Sequence, residues 1–442
     1  MKAMILAAGK GTRVQPLTYE MPKPMIPILG KPLLEYLIEH LARYDVREIM
    51  LNVSYLHEKI EQYFGDGRRF GVEIGYSFEG SVVDGVVVPC PVGSAGGIRK
   101  IQDFNGFFDQ TTLVICGDAL VDLDVKAVLS EHRRRGAKAS LVAKEVRPNQ
   151  VSDYGIVVTD ADGRITSFQE KPRPEQARSN WASTGIYIFE PEVFDLIPSG
   201  RSFDIGTDLF PLLVSQGLPF FAQKQCFNWI DIGKVTDYWT VLQKVMQGGV
   251  ANFSIPGRPI REGVWTGLNT RIDWNGTTIR GPVYIGSGCD IEAGATIIGP
   301  TWIGHGSRVC AGGRVTRSVI FEYTCVQSGS DFTDMVVCGD YAVDRKGGSL
   351  HIEEAKGAQE WSDSRAPYKP VSRWAHTTRP AGGGDREASG VVASPGNNNV
   401  RTSGTVWSIR QAKKDQYGHA SNSLANHSLT SGMDSSSRGS SS

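Results

Sequence analysis

A repeat of six residues is the feature that most restricts how this chain of 442 residues folds. Branched aliphatic residues recur at every sixth position of the repeat: Ile279, Ile285, Ile291, Ile297, Ile303, Val309 and Val315. A six-residue period is typical of a parallel β-helix, in which each hexad forms one face of a triangular coil and its branched residue fills the interior. The period slips by one residue at Ile320 and resumes at Val326, which predicts a distorted coil at the slip.

The N-terminus combines a buried strand with a loop suited to phosphate. The apolar run at residues 3–6 leads to Gly9 and Gly11, and glycine lets backbone N–H groups approach a ligand closely. Arg13 and Lys23 supply two cations for phosphate oxygens. Three short segments follow the glycines in order: Thr12-Arg13, Pro16-Leu17-Thr18 and Pro22-Lys23-Pro24. The spacing fits neither a P-loop nor a dinucleotide fingerprint, and it predicts a nucleoside-triphosphate site after the first strand.

Composition narrows the class of partner. Lys and Arg total 47, as do Asp and Glu, so the net charge of zero argues against nucleic acid or an acidic membrane surface as a partner. No apolar run approaches the length of a spanning helix, and the apolar start is too short for a signal peptide. The 7 cysteines form no C-x-x-C pair. We therefore expect reduced thiols in a cytoplasmic protein rather than disulfides or a zinc site.

Residues 1–245 alternate between strand-like and helix-like patterns. Strands are predicted at 48–53, 72–76 and 113–116, with helices around 33–41 and 56–64. Such alternation indicates an α/β fold, in which a mostly parallel sheet carries helices on both faces and binds ligands at the carboxyl ends of its strands. The glycine loop and Asp118 both fall at such ends.

These motifs resemble the signature of the sugar-phosphate nucleotidyltransferase family, which reads roughly G-x-G-T-R-x-x-P-L-T followed by P-K-P. Four further segments are similar to that family: the loop at residues 91–97, Gly117-Asp118, Glu170-Lys171-Pro172, and Trp229 to Gly233. The resemblance covers about residues 1–355 and is greatest to the mannose-1-phosphate guanylyltransferases. It implies a Rossmann-like nucleotidyltransferase domain followed by a left-handed β-helix.

The resemblance also implies a set of site residues. The nucleotide would be bound by Leu6, Ala8, Gly9, Gly11, Thr12, Arg13 and Gly93. The sugar phosphate would be bound by Gly155, Glu170 and Lys171. Asp118 and Asp231 would hold Mg²⁺, and Arg13, Lys23 and Asp118 would be catalytic. Cations and a divalent metal suit a reaction between two anionic substrates, because its main obstacle is charge.

The function that this resemblance implies is nucleotidyl transfer from an NTP, expected to be GTP, to a sugar-1-phosphate, expected to be mannose-1-phosphate. The products would be a nucleotide sugar and pyrophosphate. Gln15 stands where many members have arginine, and Ser183 where many have asparagine, so the base and the sugar stay open. One alternative is a glucose-1-phosphate uridylyl-, adenylyl- or thymidylyltransferase. Another is a non-catalytic regulatory subunit of the same architecture.

The sequence divides into four parts on this interpretation: a catalytic domain at 1–245, a linker at 246–265, the β-helix at 266–356 and a disordered low-complexity tail at 357–442. The flat faces and coil ends of a β-helix lead us to expect a homo-oligomer. His305 lies within the repeat, and a histidine in this coil serves acetyl transfer in bifunctional relatives. We predict a solvated turn residue there, because no orienting partner is visible in the sequence.

Overall fold

A computed structural model describes residues 1–83, 86–250, 253–339, 341–351 and 358–360. These residues belong to one compact unit within Met1–Lys369. Apart from the strand Ala358–Glu360, the predicted tail lies outside the described residues, so its disorder stays a prediction. No helix in the described part of the chain is long and apolar enough to cross a membrane.

The N-terminal part is built from alternating strands and helices. Its strands are β1 (Lys2–Leu6), β2 (Pro27–Ile28), β3 (Lys31–Pro32), β4 (Glu48–Val53), β5 (Glu73–Phe78), β6 (Gly80–Val83), β7 (Val86–Pro89), β8 (Thr112–Cys116), β9 (Ala119–Val121), β10 (Ala139–Glu145), β11 (Gly155–Thr159), β12 (Ile165–Glu170), β13 (Trp181–Phe189), β14 (Phe220–Lys224) and β15 (Trp229–Asp231). Its helices are α1 (Leu33–Arg43), α2 (His57–Phe64), α3 (Ser94–Asn105), α4 (Val125–Arg134), α5 (Pro191–Phe194), α6 (Phe210–Ser215) and α7 (Val235–Met246). The predicted helices and strands are thus present, with ends shifted by a few residues.

The central sheet is parallel in one half and mostly antiparallel in the other, where β10 and β14 alone pair in parallel. Its main order is β12-β11-β13-β8-β1-β4-β5, with β10 and β14 joined beside β13. Strands β8, β1, β4 and β5 are mutually parallel, as predicted from the alternation of strands and helices. Strands β10 to β13 pair in antiparallel fashion instead. No helix separates β11 from β12, and a short connection favours antiparallel neighbours because parallel ones need a long crossover.

Both faces of the sheet are covered, because β1 alternates between two hydrophobic cores. Ala3 and Ile5 point into one core with α1, α2 and α4. Met4 points into the other with α3, α5 and α6. This alternation leaves the strand ends, rather than the faces of the sheet, open to ligands.

The C-terminal part is a parallel β-helix. Its strands are β16 (Arg258–Arg261), β17 (Val264–Thr266), β18 (Arg271–Ile272), β19 (Thr278–Arg280), β20 (Val283–Ile285), β21 (Asp290–Ile291), β22 (Thr296–Ile298), β23 (Thr301–Ile303), β24 (Arg308–Val309), β25 (Arg314–Thr316), β26 (Val319–Ile320), β27 (Thr324–Val326), β28 (Asp331–Thr333), β29 (Met335–Cys338), β30 (Tyr341–Asp344), β31 (Ser349–His351) and β32 (Ala358–Glu360). Three stacked sheets form the three faces of the coil. Equivalent repeat positions lie above one another, as in the pairing of Ile285 with Ile303.

The repeat residues fill the interior, as the period predicts. From Ile285 to Val315 the side chains at the six-residue positions are fully buried in one cluster, while Ile279 in the first coil is only partly buried. The slip at Ile320 shortens one corner and leaves the ladder intact, since Ile303 still pairs with Ile320 and Val309 with Val326. Arg317 lies in the shortened corner and has a φ of 44°. The predicted distortion is therefore confined to a turn.

The β-helix starts earlier than the predicted boundary and packs directly on the N-terminal part. Strand β16 and the start of β17 lie within the segment expected to be a linker, and Val264 is buried against the first full coil. Helix α7 supplies Tyr238 and Leu242 to a core that also contains Trp302 of the β-helix. This apolar contact joins the two parts because neither face would be stable in water alone.

Candidate active site

The loop after β1 is shaped by one glycine with a positive φ. Gly11 has a φ of 64°, and a Cβ there would lie 3.0 Å from both Lys23 Cβ and Thr18 Cγ2. The Thr18 hydroxyl donates to the Gly11 carbonyl at 2.8 Å. At Gly9 a Cβ would meet no heavy atom within 4 Å. Gly11 is therefore required by the packing of the loop on Lys23, whereas packing does not require Gly9.

Lys23 joins two carboxylates at the ends of neighbouring strands. Its Nζ lies 2.6 Å from Asp118 Oδ2 and 3.4 Å from Asp231 Oδ1. Asp118 directly precedes β9, and antiparallel pairing of β9 with β15 places Asp231 opposite Ala119. The Lys23 side chain is only 10% exposed, against 31% for Asp118 and 26% for Asp231. Three segments that are distant in the chain thus place their charged groups in contact.

Burial and charge act in opposite directions on these groups. Burial lowers the pKa of Lys23, but the two carboxylates outweigh it and the net pKa is raised, so the ammonium stays charged. Burial and the neighbouring Asp118 together raise the pKa of Asp231, despite the opposing effect of Lys23. Two carboxylates held this close repel each other and favour a cation between them.

The pair Asp118 and Asp231 fits the way proteins bind Mg²⁺. This ion takes oxygen ligands and is commonly held by one or two carboxylates together with substrate phosphates. In the described residues no group of three or more His, Cys, Asp and Glu side chains could hold a metal by itself. Two carboxylates leave the other positions around such an ion to the oxygens of a phosphorylated substrate.

The predicted sugar-phosphate residues lie together on the hairpin of β11 and β12. Gly155 is paired with Glu170, and a Cβ at Gly155 would lie 2.2 Å from the Phe168 ring. Lys171 follows with a φ of 43°, and its Nζ lies 2.9 Å from Glu170 Oε1. The Lys171 N–H also donates to the Tyr154 carbonyl at 3.1 Å. The backbone therefore holds Lys171 in place, while its side chain is half-exposed.

A cavity of about 300 Å³ collects most of the predicted residues. Those that line it are Leu6, Arg13, Lys23, Asp118, Gly155, Glu170, Lys171 and Asp231. Five predicted nucleotide-binding residues are outside its lining: Ala8, Gly9, Gly11, Thr12 and Gly93. The structure thus brings the charged residues of both predicted substrate subsites around one space.

Gly93 is required by a contact within the protein itself. Its φ is 81°, and a Cβ there would lie 2.5 Å from the Phe203 carbonyl oxygen. That carbonyl also accepts the N–H groups of Ala95 and Gly96 at the start of α3. Close approach of the segment at Phe203 therefore requires glycine here, and nucleotide binding at Gly93 stays a prediction.

Two polar groups of the site were not predicted from the sequence. Asp204 lines the cavity, accepts from the Ser94 hydroxyl at 2.7 Å and accepts from the Gly206 N–H at 2.8 Å. Behind the loop, Asn52 accepts the Ala7 N–H at 2.7 Å and donates to Glu79 at 2.7 Å. Asp204 could have been noticed as a residue that caps a helical turn, but its contact with Ser94, 110 residues away, carries no local signal.

Comparisons with known proteins identify the family of this chain and several of its relatives. The nucleotidyl transferase family matches residues 2–248. A UTP–glucose-1-phosphate uridylyltransferase of Synechocystis sp. is 53% identical over 371 residues, which are 84% of this chain and 95% of that protein. A mannose-1-phosphate guanylyltransferase of Mycobacterium tuberculosis is 32% identical over 237 residues, 53% of this chain and 62% of that protein. A mannose-1-phosphate guanyltransferase beta-B of Xenopus laevis is 32% identical over 249 residues, 56% of this chain and 65% of that protein.

Proposed function

This chain belongs to the nucleotidyl transferase family, and we propose that it transfers a uridylyl group from UTP to glucose-1-phosphate. The choice of base and sugar rests on the similarity to the uridylyltransferase relative, which is 53% identical over 95% of its own length. The two guanylyl relatives are 32% identical and are matched over less than two thirds of their length. This favours the glucose alternative over GTP and mannose-1-phosphate, while sugar-1-phosphate nucleotidyl transfer is common to all of these relatives.

The reaction joins two anions. An oxygen of the sugar phosphate attacks the α-phosphorus of the nucleoside triphosphate, the bond to the β-phosphate breaks, and pyrophosphate leaves in line with the attack. Most of the catalytic effect in such a reaction comes from positioning and from neutralising charge. The side chains that line the cavity supply both signs of charge for these tasks.

The cations of the site divide between the two substrates. Arg13 follows the glycine loop and would bind the triphosphate, while Lys171 lies beside Glu170 on the hairpin and would bind the sugar phosphate. Lys23 is held charged between Asp118 and Asp231, where it would stabilise the negative charge that develops on pyrophosphate. Each role rests on the position of the residue around the shared cavity.

Asp118 and Asp231 would hold Mg²⁺ at the carboxyl ends of β8 and β15. When bound, this ion would polarise phosphate oxygens and offset their charge. The two aspartates would fix its position against the triphosphate, and Lys23 would balance the charge of the carboxylate pair.

A non-catalytic regulatory subunit of the same architecture is the rival interpretation. Loss of activity in such a subunit removes the pressure to keep opposite charges assembled in a partly buried site. Here Lys23, Asp118 and Asp231 are in contact, and Arg13 and Lys171 line the same cavity. The complete charge set supports an enzyme.

A pyrophosphate-release assay tests the proposal. Purified full-length protein is supplied with Mg²⁺, each of the four common NTPs, and either glucose-1-phosphate or mannose-1-phosphate. We expect kcat/KM for UTP with glucose-1-phosphate to exceed that of every other pair by at least about tenfold, the discrimination that a few hydrogen bonds provide. Preference for GTP with mannose-1-phosphate would contradict the substrate assignment, and no turnover with any pair would favour the regulatory subunit.

Assembly through the β-helix also stays a proposal. Leu268 in the first coil and Leu350 in the last hairpin are exposed apolar residues at opposite ends of the β-helix, and such residues suit contacts between copies. Light scattering of the full-length protein measures its mass in solution. A monomer would contradict assembly, whereas a multimer that Leu268→Asp or Leu350→Asp dissociates would support it.

A further inference from the structure

Side chains outside the interior of the β-helix bridge neighbouring coils. Arg308 donates to Glu292 on the preceding coil at 2.8 Å. At another corner, His305 Nδ1 accepts the Ser287 N–H at 2.8 Å. The prediction of a solvated turn residue is wrong for His305, because the neighbouring coil supplies the orienting partner that the sequence did not reveal. One further bridge joins two cysteines and differs from the others because it can become covalent.

Cys310 and Cys325 are in contact on neighbouring coils, and both are free thiols. Their Sγ atoms lie 3.6 Å apart, although 15 residues separate them in the chain. The pairing of β24 with β27 places Val309 beside Val326 in the interior of the coil. Each cysteine is next to one of these inward-facing valines, so both thiols lie on the outer side of the coil wall. The stacking of the coils therefore creates the pair.

The backbone holds both cysteines in this position. The Cys310 N–H donates to the Val326 carbonyl at 2.9 Å. Cys325 is paired on both sides, with Arg308 of β24 and with Gln359 of β32. A disulfide bond needs its two sulfur atoms about 2.0 Å apart, so each sulfur has to move by less than about 1 Å. The two thiols are thus held close to bonding distance in the folded chain.

The two thiols differ in accessibility and in acidity. Cys310 is partly exposed, whereas Cys325 is buried. The hydrogen bond from Cys325 lowers the pKa of Cys310 against the opposing effect of burial, and nearby Arg308 lowers it further while Glu292 raises it. The same hydrogen bond and burial raise the pKa of Cys325. Cys310 is therefore the thiol that a reagent in solution reaches first, in the thiolate form that reacts.

We propose that Cys310 and Cys325 are a redox modification site, which forms a disulfide bond by exchange with a disulfide of low molecular mass. The bond would join two stacked coils and stabilise the β-helix, because a cross-link restricts the unfolded chain. The assignment does not depend on which base or sugar the enzyme uses, or on the residues proposed for catalysis.

The exchange takes place in two steps. The Cys310 thiolate attacks one sulfur of the small disulfide, whose S–S bond breaks, and one small thiolate leaves. Cys325 then gives up its proton to solvent and attacks the Cys310 sulfur, and the second small thiolate leaves. The two leaving thiolates take up protons, so the protein is oxidised by the loss of two hydrogen atoms and the small disulfide is reduced to two thiols.

Thiol trapping in the native full-length protein tests the proposal. The reduced protein is equilibrated with glutathione buffers that range from fully reduced to fully oxidised, and the remaining free thiols are alkylated. Trypsin places Cys310 in residues 309–314, and cleavage before Asp331 separates Cys325 from Cys338. We expect mass spectrometry to find the peptides of Cys310 and Cys325 linked to each other, in an amount that rises with the share of oxidised glutathione.

Matched variants identify the bond. Cys310→Ser and Cys325→Ser should each abolish the linked peptides. Cys289→Ser is the control and should keep them, because Cys289 has its own partner, the Gly304 carbonyl at 3.0 Å. The oxidised parent protein should also unfold at least about 3 °C above the reduced protein, and this difference should vanish in Cys325→Ser.

Three results would overturn the proposal. One is alkylation of both Cys310 and Cys325 even in oxidised glutathione alone. Another is a lasting mixed disulfide of glutathione with Cys310, because the second exchange step would then not take place. The third is an oxidised protein that unfolds at the same temperature as the reduced protein, because the bond would then not stabilise the β-helix.

Discussion

The catalytic part and the β-helix both place opposite charges in contact, but the two arrangements differ. Lys23, Asp118 and Asp231 come from three segments far apart in the chain and meet where the lysine side chain is 10% exposed. In the β-helix, Arg314 contacts Asp331 on the next coil at 3.8 Å, and the two side chains are 58% and 56% exposed. The β-helix repeats this arrangement further along, where Arg317 contacts Asp334.

The comparison indicates that the partly buried charged groups serve the proposed reaction, whereas the charged pairs between coils belong to the surface of the β-helix. An exposed ion pair contributes about 0–1 kcal/mol to stability, so the pairs between coils stabilise the β-helix little and its buried aliphatic residues stabilise it most. Two partly buried carboxylates side by side oppose folding, and such groups in a cavity are typical of a functional site. Substitutions in the two regions should therefore affect different measurable properties.

The largest expected effect is on turnover when a carboxylate of the active site is neutralised. Asp118→Asn or Asp231→Asn should lower kcat at least about a hundredfold, because a central electrostatic contact to the reacting phosphates would be lost. Pyrophosphate release at saturating Mg²⁺ measures it. Asp334→Asn, the same change in the β-helix, is the control and should keep kcat within about twofold of the parent value. Near-normal turnover of an active-site variant would remove that residue from the proposed metal site.

The next effect is on stability and should appear only in the β-helix. Val309 is fully buried between Ile291 and Val326 of the neighbouring coils. Val309→Ala should lower the free energy of unfolding by about 2 kcal/mol through lost burial and a residual cavity, with kcat at 25 °C unchanged. Denaturant titration followed by circular dichroism measures the change. A drop in kcat without a loss of stability would show that the β-helix core acts on the active site.

A smaller effect should divide the cations of the active site. Lys171→Ala should raise KM for glucose-1-phosphate about tenfold with little change in kcat, because a contact to the bound substrate is lost. Arg13→Ala should instead lower kcat about tenfold or more. Steady-state kinetics with each substrate varied in turn distinguish the two. If Lys171→Ala weakened only UTP binding, the assignment of the two subsites would be reversed.

The smallest effect is expected for an ion pair between coils. Arg317 makes two hydrogen bonds to Asp334, at 2.7 and 2.9 Å, at the shortened corners of the β-helix. Arg317→Gln should change the free energy of unfolding by less than about 1 kcal/mol, because both side chains of the pair are partly exposed to solvent. Thermal unfolding at low and high salt measures it. A loss as large as that of Val309→Ala would mean that this corner, and not the interior, holds the coils in register.

The sequence by itself determined the local features of this protein. The six-residue period predicted the stacked coils, because each face of every coil places one branched side chain in the interior. The strand and the glycine loop near the N-terminus could be predicted because short motifs set their own backbone geometry, whereas Asp118 and Asp231 were predicted from the resemblance to a known family. All of the predicted charged residues line one cavity.

Only the tertiary structure decided which distant groups meet. Lys23 contacts Asp231 across 208 residues of chain, and no local pattern encodes the sheet order that brings them together. The same holds for Gly93, whose constraint comes from the Phe203 carbonyl, and for His305, whose partner Ser287 lies on the neighbouring coil. The hydrophobic core shared by α7 and the β-helix likewise forms only once both parts have folded and their apolar surfaces have met.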